Sequence, residues 1–99
     1  LQKQEDRPME TLVRDNPERR RYEMAVEGGT AFASYRADES TVFITHTEVP
    51  PALRGGGVGA ALVKGTLDLI RESGRKVVPQ CGFVASYIRR HPEYRDLSA

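Results

Sequence analysis

The chain has 99 residues, 38% of them hydrophobic, which is room for one small domain with a thin two-layer core. Fifteen basic residues stand against fourteen acidic ones, a net charge of +1, and that balance argues against a dedicated nucleic-acid binder. The lone Cys81 excludes an intrachain disulfide and points to a reducing, cytoplasmic setting, and no apolar run is long enough to span a membrane.

Residues 1–10, with the charged stretch LQKQEDRP, are expected to be a loose solvated segment; they lack the apolar core of a signal peptide. The folded domain is expected over residues 11–97. TLVRDN (11–16) reads as a short strand, closed by the turn signal Asn16-Pro17. RRYEMAV (20–26) alternates, with Tyr22, Met24 and Val26 on one face. EGG (27–29) is a hairpin turn, and TAFASYRA (30–37) is the return strand. DES turns the chain again. TVFITHTEV (41–49), rich in β-branched residues, is the strongest strand signal.

Pro50-Pro51 ends that strand, and a glycine cluster follows. Val58, Leu62, Gly65 and Leu69 then recur at helical spacing, and Gly74 stands where a helix C-cap glycine belongs. KVVPQC (76–81) is a short strand, and FVASYIRRH (83–91) a second helix halted at His91-Pro92. The order β-β-β-β-α-β-α predicts an α/β fold: a mixed, mostly antiparallel sheet with helices on its faces.

LRGGGVGAALV (53–63) carries most of the functional information. A helix N-terminus exposes unpaired N–H groups and a partial positive charge, and glycines let a ligand reach that backbone. Arg54 adds a full charge beside it. Strand, short loop, glycines and helix in succession are the layout of a phosphate cradle. Two cradle types do not fit. A nucleotide P-loop needs Gly-Lys-Ser/Thr at the helix start, and here Ala60 and Ala61 follow Gly59. The dinucleotide spacing matches at Gly55, Gly57 and Ala60, but the strand does not run directly into it and the chain behind is too short.

The third pattern fits. Val49, Pro51, Arg54, Gly57 and Gly59 fall in the register Val-x-Pro-x-x-Arg-x-x-Gly-x-Gly. With VPPALRGGGVGAALV around it and the tail CGFVASYIRRHPEY, the chain resembles the GNAT N-acetyltransferase superfamily, and its small single-domain branch in particular, over residues 16–94. The resemblance implies a minimal GNAT-like fold and acetyl-CoA as co-substrate, with no metal. It implies that the amides of Gly55, Gly56, Gly57, Val58, Gly59 and Ala60 hold the pyrophosphate, with Arg54 at the loop mouth. The backbone of Glu48 and Val49 would pair with the pantetheine arm.

The activity implied is acetyl transfer to an amine. Tyr87 matches the superfamily's thiol-protonating tyrosine; the other reading is a packed helix tyrosine. Cys81, at the end of the last strand, is an acyl-carrying nucleophile, a coenzyme contact or a core residue. His46 and Glu48 share one side of their strand by alternation, together with Val42 and Ile44, and either can take the amine's proton. ERRR (18–21) suits an acidic partner or a solvated approach to the strand, and Arg89, Arg90 and His91 suit the dipole of the last helix or the coenzyme's adenosine phosphate. The superfamily's two helices after the first strand, and its two C-terminal strands, are not evident. An open, shallow acceptor site is therefore expected, suited to a protein lysine, an N-terminus or a polyamine. The alternative is a coenzyme A binding module without catalysis. Oligomeric state stays open.

Overall fold

In the computed structural model, residues 12–99 are described. The segment expected to be loose, and Thr11 at the head of the first expected strand, lie outside them. The elements are β1 (Arg14–Asn16), β2 (Arg21–Val26), β3 (Gly29–Ala37), β4 (Thr41–Glu48), α1 (Val58–Glu72), β5 (Lys76–Pro79) and α2 (Gly82–Arg90). Short 3-10 segments follow β4 (Pro51–Leu53) and α2 (Pro92–Leu97). The element order is the one the sequence predicts. The first strand is shorter than expected, because Leu12 and Val13 precede its pairing.

The sheet runs β1-β2-β3-β4-β5. Its first four strands are antiparallel neighbours, and β5 pairs parallel to β4. A parallel neighbour needs a crossover, and α1 supplies it. The β2–β3 hairpin turns on Glu27-Gly28, with Gly28 at φ +83°. At the β3–β4 turn the Asp38 carboxylate accepts from the amides of Ser40 and Thr41 at 2.9 and 2.8 Å.

Alternation sends Tyr22, Met24, Ala31, Ala33, Tyr35, Val42, Ile44 and Val77 to one face, all buried. The small side chains of Ala31 and Ala33 let α1 lie over β3. The buried stripe of α1 is Leu62, Val63, Gly65, Thr66, Leu67 and Ile70, which includes the expected Leu62 and Gly65. The other two expected positions, Val58 and Leu69, lie at its margin, half-buried. Val84, Tyr87 and Ile88 of α2 join the same core, as do Tyr94 and Leu97. The helices expected on the faces of the sheet therefore share one face.

The other face carries polar side chains and half-buried aromatics, a division common in antiparallel sheets. There Arg21 lies over the Phe32 ring at 4.2 Å and Arg36 over Phe43 at 4.9 Å.

One irregularity in β4 reorganises the region after it. Tyr35 pairs with Ile44, yet Ser34 pairs with His46, so Thr45 is an extra residue on the β4 side. Such a bulge reverses the inward-outward sense of every later residue. His46 and Glu48 do not share the face of Val42 and Ile44, as strict alternation predicted. They point to the open face, and Thr47, opposite the buried Ala33, turns toward the helices.

Candidate functional site

The glycine loop leads from the 3-10 turn into α1. Gly55 and Gly57 sit at φ +84° and +88°, where a Cβ is strained. Gly57 is the N-cap of α1; it offers no side-chain cap, and the first turn holds no acidic residue. The first amides of a helix have no intrahelical acceptor, so here they remain open to a ligand. Gly59 is needed for another reason. A Cβ there would lie 2.9 Å from Phe83 Cζ, so its absence lets the ring from α2 close onto the first turn of α1. A Cβ on Gly56 would meet Leu53 O at an ordinary 3.6 Å, so space does not require glycine there.

A groove of about 470 Å³ opens beside this loop. It is lined by Thr47, Glu48 and Val49 at the end of β4, by Arg54, Gly55, Gly57, Gly59 and Ala60, and by Phe83 and Arg90 of α2. Of the residues expected to hold a coenzyme, only Gly56 and Val58 are absent from the lining, and both lie within the loop and helix start that form its wall. Arg54 Nε donates to the Val49 carbonyl at 3.2 Å. Arg90 is steadied by Ser86 Oγ at 2.8 Å, which places a second guanidinium on the groove. Phe83 and Thr47 were not singled out by sequence. Phe83 stands seven residues before Arg90, two helical turns, but only the bulge brings Thr47 inward.

The pairing of β4 with β5 ends at Ile44 and Pro79. The amides of Gln80 and Cys81 both turn onto the Ile44 carbonyl, at 2.9 and 3.1 Å. Residues 45–48 of β4 continue beyond the last rung, which leaves an unpaired stretch of strand edge beside the groove.

Cys81 is the N-cap of α2 and is half-buried. Its Sγ lies 3.5 Å from Thr47 Oγ1. Burial pushes the thiol upward, but the Thr47 hydroxyl and the N–H groups of Val84, Phe83 and Thr47 outweigh it, and the net shift is down. His46 Nε2 and Glu48 Oε1 are 3.0 Å apart on the open face, with more than half of each side chain exposed. The Phe32 ring meets His46 edge-on at 6.2 Å. Thr47 and Cys81 thus face the helices, and His46 and Glu48 the opposite side.

Tyr87 shares the α2 stripe of Phe83 and Arg90, but its ring is only 4% exposed and does not line the groove. It stacks on His91 at 3.9 Å, and His91 Nδ1 bonds the Tyr87 carbonyl at 2.9 Å.

The comparisons agree with this architecture. A family model described as GCN5-related N-acetyl-transferase matches residues 21–97. The chain belongs to that family. Its similar relatives include Protein NATD1 of Xenopus tropicalis, 35% identical over 54% of this chain and 50% of that protein. Protein NATD1 of Homo sapiens is 37% identical over 52% of this chain and 45% of that protein. The matches thus span about half the length of these relatives. The solution NMR structure of a GCN5-like protein from Staphylococcus aureus superposes with a TM-score of 0.67 at 24% identity, covering 88% of this chain and 86% of the other.

Proposed function

We propose that the protein is an acetyl-CoA-dependent N-acetyltransferase that modifies an amine on an exposed acceptor, a protein lysine, an N-terminus or a polyamine. One observation carries this reading. The uncapped start of α1, with Gly55 and Gly57 in the left-handed region, opens onto the same groove as the free edge of β4. That arrangement suits a ligand with a doubly charged phosphate part and an extended, amide-bearing arm. Coenzyme A has both, and the uncapped start of α1 with open space at Gly55 and Gly57 fits it.

When bound, acetyl-CoA supplies the activated thioester. The chain's own residues do the rest. The amides at residues 55–60 and the Arg54 and Arg90 guanidinium groups hold negative charge. The backbone of Glu48 and Val49 orients the arm, once Arg54 releases the Val49 carbonyl. His46, steadied by Glu48, takes the proton of an amine arriving over the open face. Tyr87 is the phenol assigned to return a proton to the departing thiolate; its burial requires a local shift of the ring to do so.

A second route has its own support. The lowered pKa of Cys81 and its contact with Thr47 suit a thiolate that carries the acetyl group before the amine does.

Calorimetry with coenzyme A and acetyl-CoA at millimolar concentration tests the reading, followed by acetyl transfer to a peptide and polyamine panel. Binding with transfer is expected. Binding without transfer would leave a coenzyme A binding module, and no binding would end both readings. Full turnover in Cys81→Ala would remove the covalent route, and an unchanged rate in Tyr87→Phe would remove the phenol.

A further inference from the structure

The coenzyme reading does not use the basic run at residues 18–21. In the fold its last-but-one residue, Arg20, lines the same concavity as two other arginines far from it in sequence. A concavity of about 490 Å³ is lined by Asp15, Pro17, Arg20, Tyr35, Arg36 and Arg75, among others. It lies where β3 ends and β5 begins, at the opposite end of β4 from the glycine loop.

Arginines line it from three places: Arg20 from the β1–β2 turn, Arg36 from the end of β3 and Arg75 from the α1–β5 loop. Among the described residues none of the three stands in an ion pair. Arg36 stacks on Phe43, and Arg75 donates to Ser73 Oγ and to the Asp38 carbonyl. These direct partners are neutral. The one carboxylate in the lining, Asp15, accepts the Tyr35 hydroxyl at 2.6 Å. Three arginines thus stand in the lining with one carboxylate that is already engaged, and Asp38 lies near enough to Arg75 to feel its charge.

Arg20 also carries backbone strain. It sits at φ +56°, the one non-glycine residue with positive φ among the described residues. Its amide donates to the Pro17 carbonyl at 3.1 Å, and its carbonyl accepts from Tyr35 at 2.9 Å. Glycine would hold the same turn without strain. What arginine adds there is a cationic residue in the lining of the cavity, and strain held at a site is a pointer to function.

We propose that this concavity is an anion site, separate from the glycine-loop groove, that binds a phosphate monoester. Three guanidinium groups offer more N–H donors than the two oxygens of a carboxylate can accept, and a phosphate monoester presents three terminal oxygens with close to two charges. The cavity is larger than the phosphate alone, which leaves room for the group that carries it. That group is either a small metabolite or a phosphorylated side chain of a peptide.

The test is an amide and arginine Nε chemical-shift titration of the whole chain, with inorganic phosphate, adenosine monophosphate and a phosphoserine tetrapeptide as probes. Sodium chloride at matched ionic strength is the control. Saturable shifts at residues 15–20, 35–37 and 75 are expected with at least one phosphate probe. A tighter constant for the peptide than for the nucleotide would identify the carrier as a protein, and the reverse as a metabolite.

Arg75→Gln is expected to weaken that constant by about tenfold or more. Arg20→Gly should weaken it similarly while leaving Tm unchanged or raised, which separates a ligand role from a structural one. Coenzyme A binding, measured in parallel, should be the same in both variants, so the outcome does not depend on the glycine loop. Shifts that never saturate, that sodium chloride reproduces, or that survive both substitutions would overturn the proposal.

Discussion

The two ends of α1 are built differently. At the C-terminal end several polar groups have internal partners. Ser73 Oγ donates to the Ile70 carbonyl at 2.6 Å, its amide meets Leu69 and Ile70, and the amide of Gly74, at φ +80°, meets Arg71. Arg71 lies in the last turn, where a cation offsets the helix dipole. It grips Asp96 through two bonds of 2.7 and 3.1 Å and the Glu93 carbonyl at 2.8 Å. Tyr94 donates to Asp68 at 2.6 Å, and Lys64 donates to the other oxygen at 3.1 Å. At the N-terminal end there is no side-chain cap and no acidic residue, and the dipole is uncompensated. One end is closed upon the protein itself. The other is left with donors that no side chain caps, open to water or to a ligand, and a function is sought where the fold leaves its own polar groups open.

The largest break in that contrast should come at Gly57. A valine there must enter the left-handed region, which costs about 1–2 kcal/mol even before its branched side chain is placed. Affinity for coenzyme A, measured by calorimetry, should fall about tenfold or more in Gly57→Val. Gly59→Ala should cost less, because the atom its Cβ meets is the far end of the exposed Phe83 ring, which can swing away. Adding Phe83→Leu should then restore what was lost. Equal affinity in Gly57→Val and the unaltered protein would mean that the open end of α1 is not the cradle.

The closed end should respond in the opposite currency, stability without binding. Burial and the bond to Asp68 push the Tyr94 phenol up to about 12, so it stays protonated and donates across neutral pH. Tyr94→Phe removes that bond, a loss of about 1 kcal/mol. For a domain of this size the thermal midpoint should drop by roughly 4–8 °C. Coenzyme A affinity should not move. A variant that melts normally but binds poorly would place ligand contacts at the wrong end of the helix.

Much of this was legible in the sequence for a simple reason: the strands alternate and the turns carry their own chemistry. The order of seven elements follows from that, and the glycine loop announces itself because Gly55 and Gly57 have no substitute at positive φ. What escaped are the places where one residue changes the count or where distant elements meet. Thr45 looks like any β-branched strand residue, yet as an unpaired extra it exchanges the faces of His46 and Thr47. Thr66 sits in the buried stripe of α1 although its hydroxyl marks it as polar, so the expected stripe, right at Leu62 and Gly65, ran on to Leu69 at the margin instead. The burial of Tyr87 depends on His91 folding back to stack on it, a contact set by the tail that follows the helix. Phe83 and Arg90 lie seven positions apart with nothing in the sequence to say that their side faces a groove rather than solvent.

The start of α2 offers a third kind of helix end and the finest distinction. Its N-cap is Cys81, whose side chain makes no capping hydrogen bond, but the nearby N–H groups of Val84 and Phe83 help to hold the thiol pKa down, whereas the start of α1 has no such side chain beside it. A thiol whose pKa is lowered holds more thiolate at neutral pH than free cysteine does, and the half-point of its alkylation against pH should lie below the ordinary thiol value. The Thr47 hydroxyl is the largest of the interactions that lower it. Thr47→Val keeps the shape and removes that hydroxyl, leaving burial, which raises the pKa, less opposed. The alkylation half-point, followed with iodoacetamide across pH 6–10, should therefore move up in Thr47→Val. The thermal midpoint should barely change, because Thr47 is half-buried and valine fills the same space. An unmoved half-point would show that the helix amides alone set the thiol, and that the bulge at Thr45, which brings Thr47 inward, has no part in tuning Cys81.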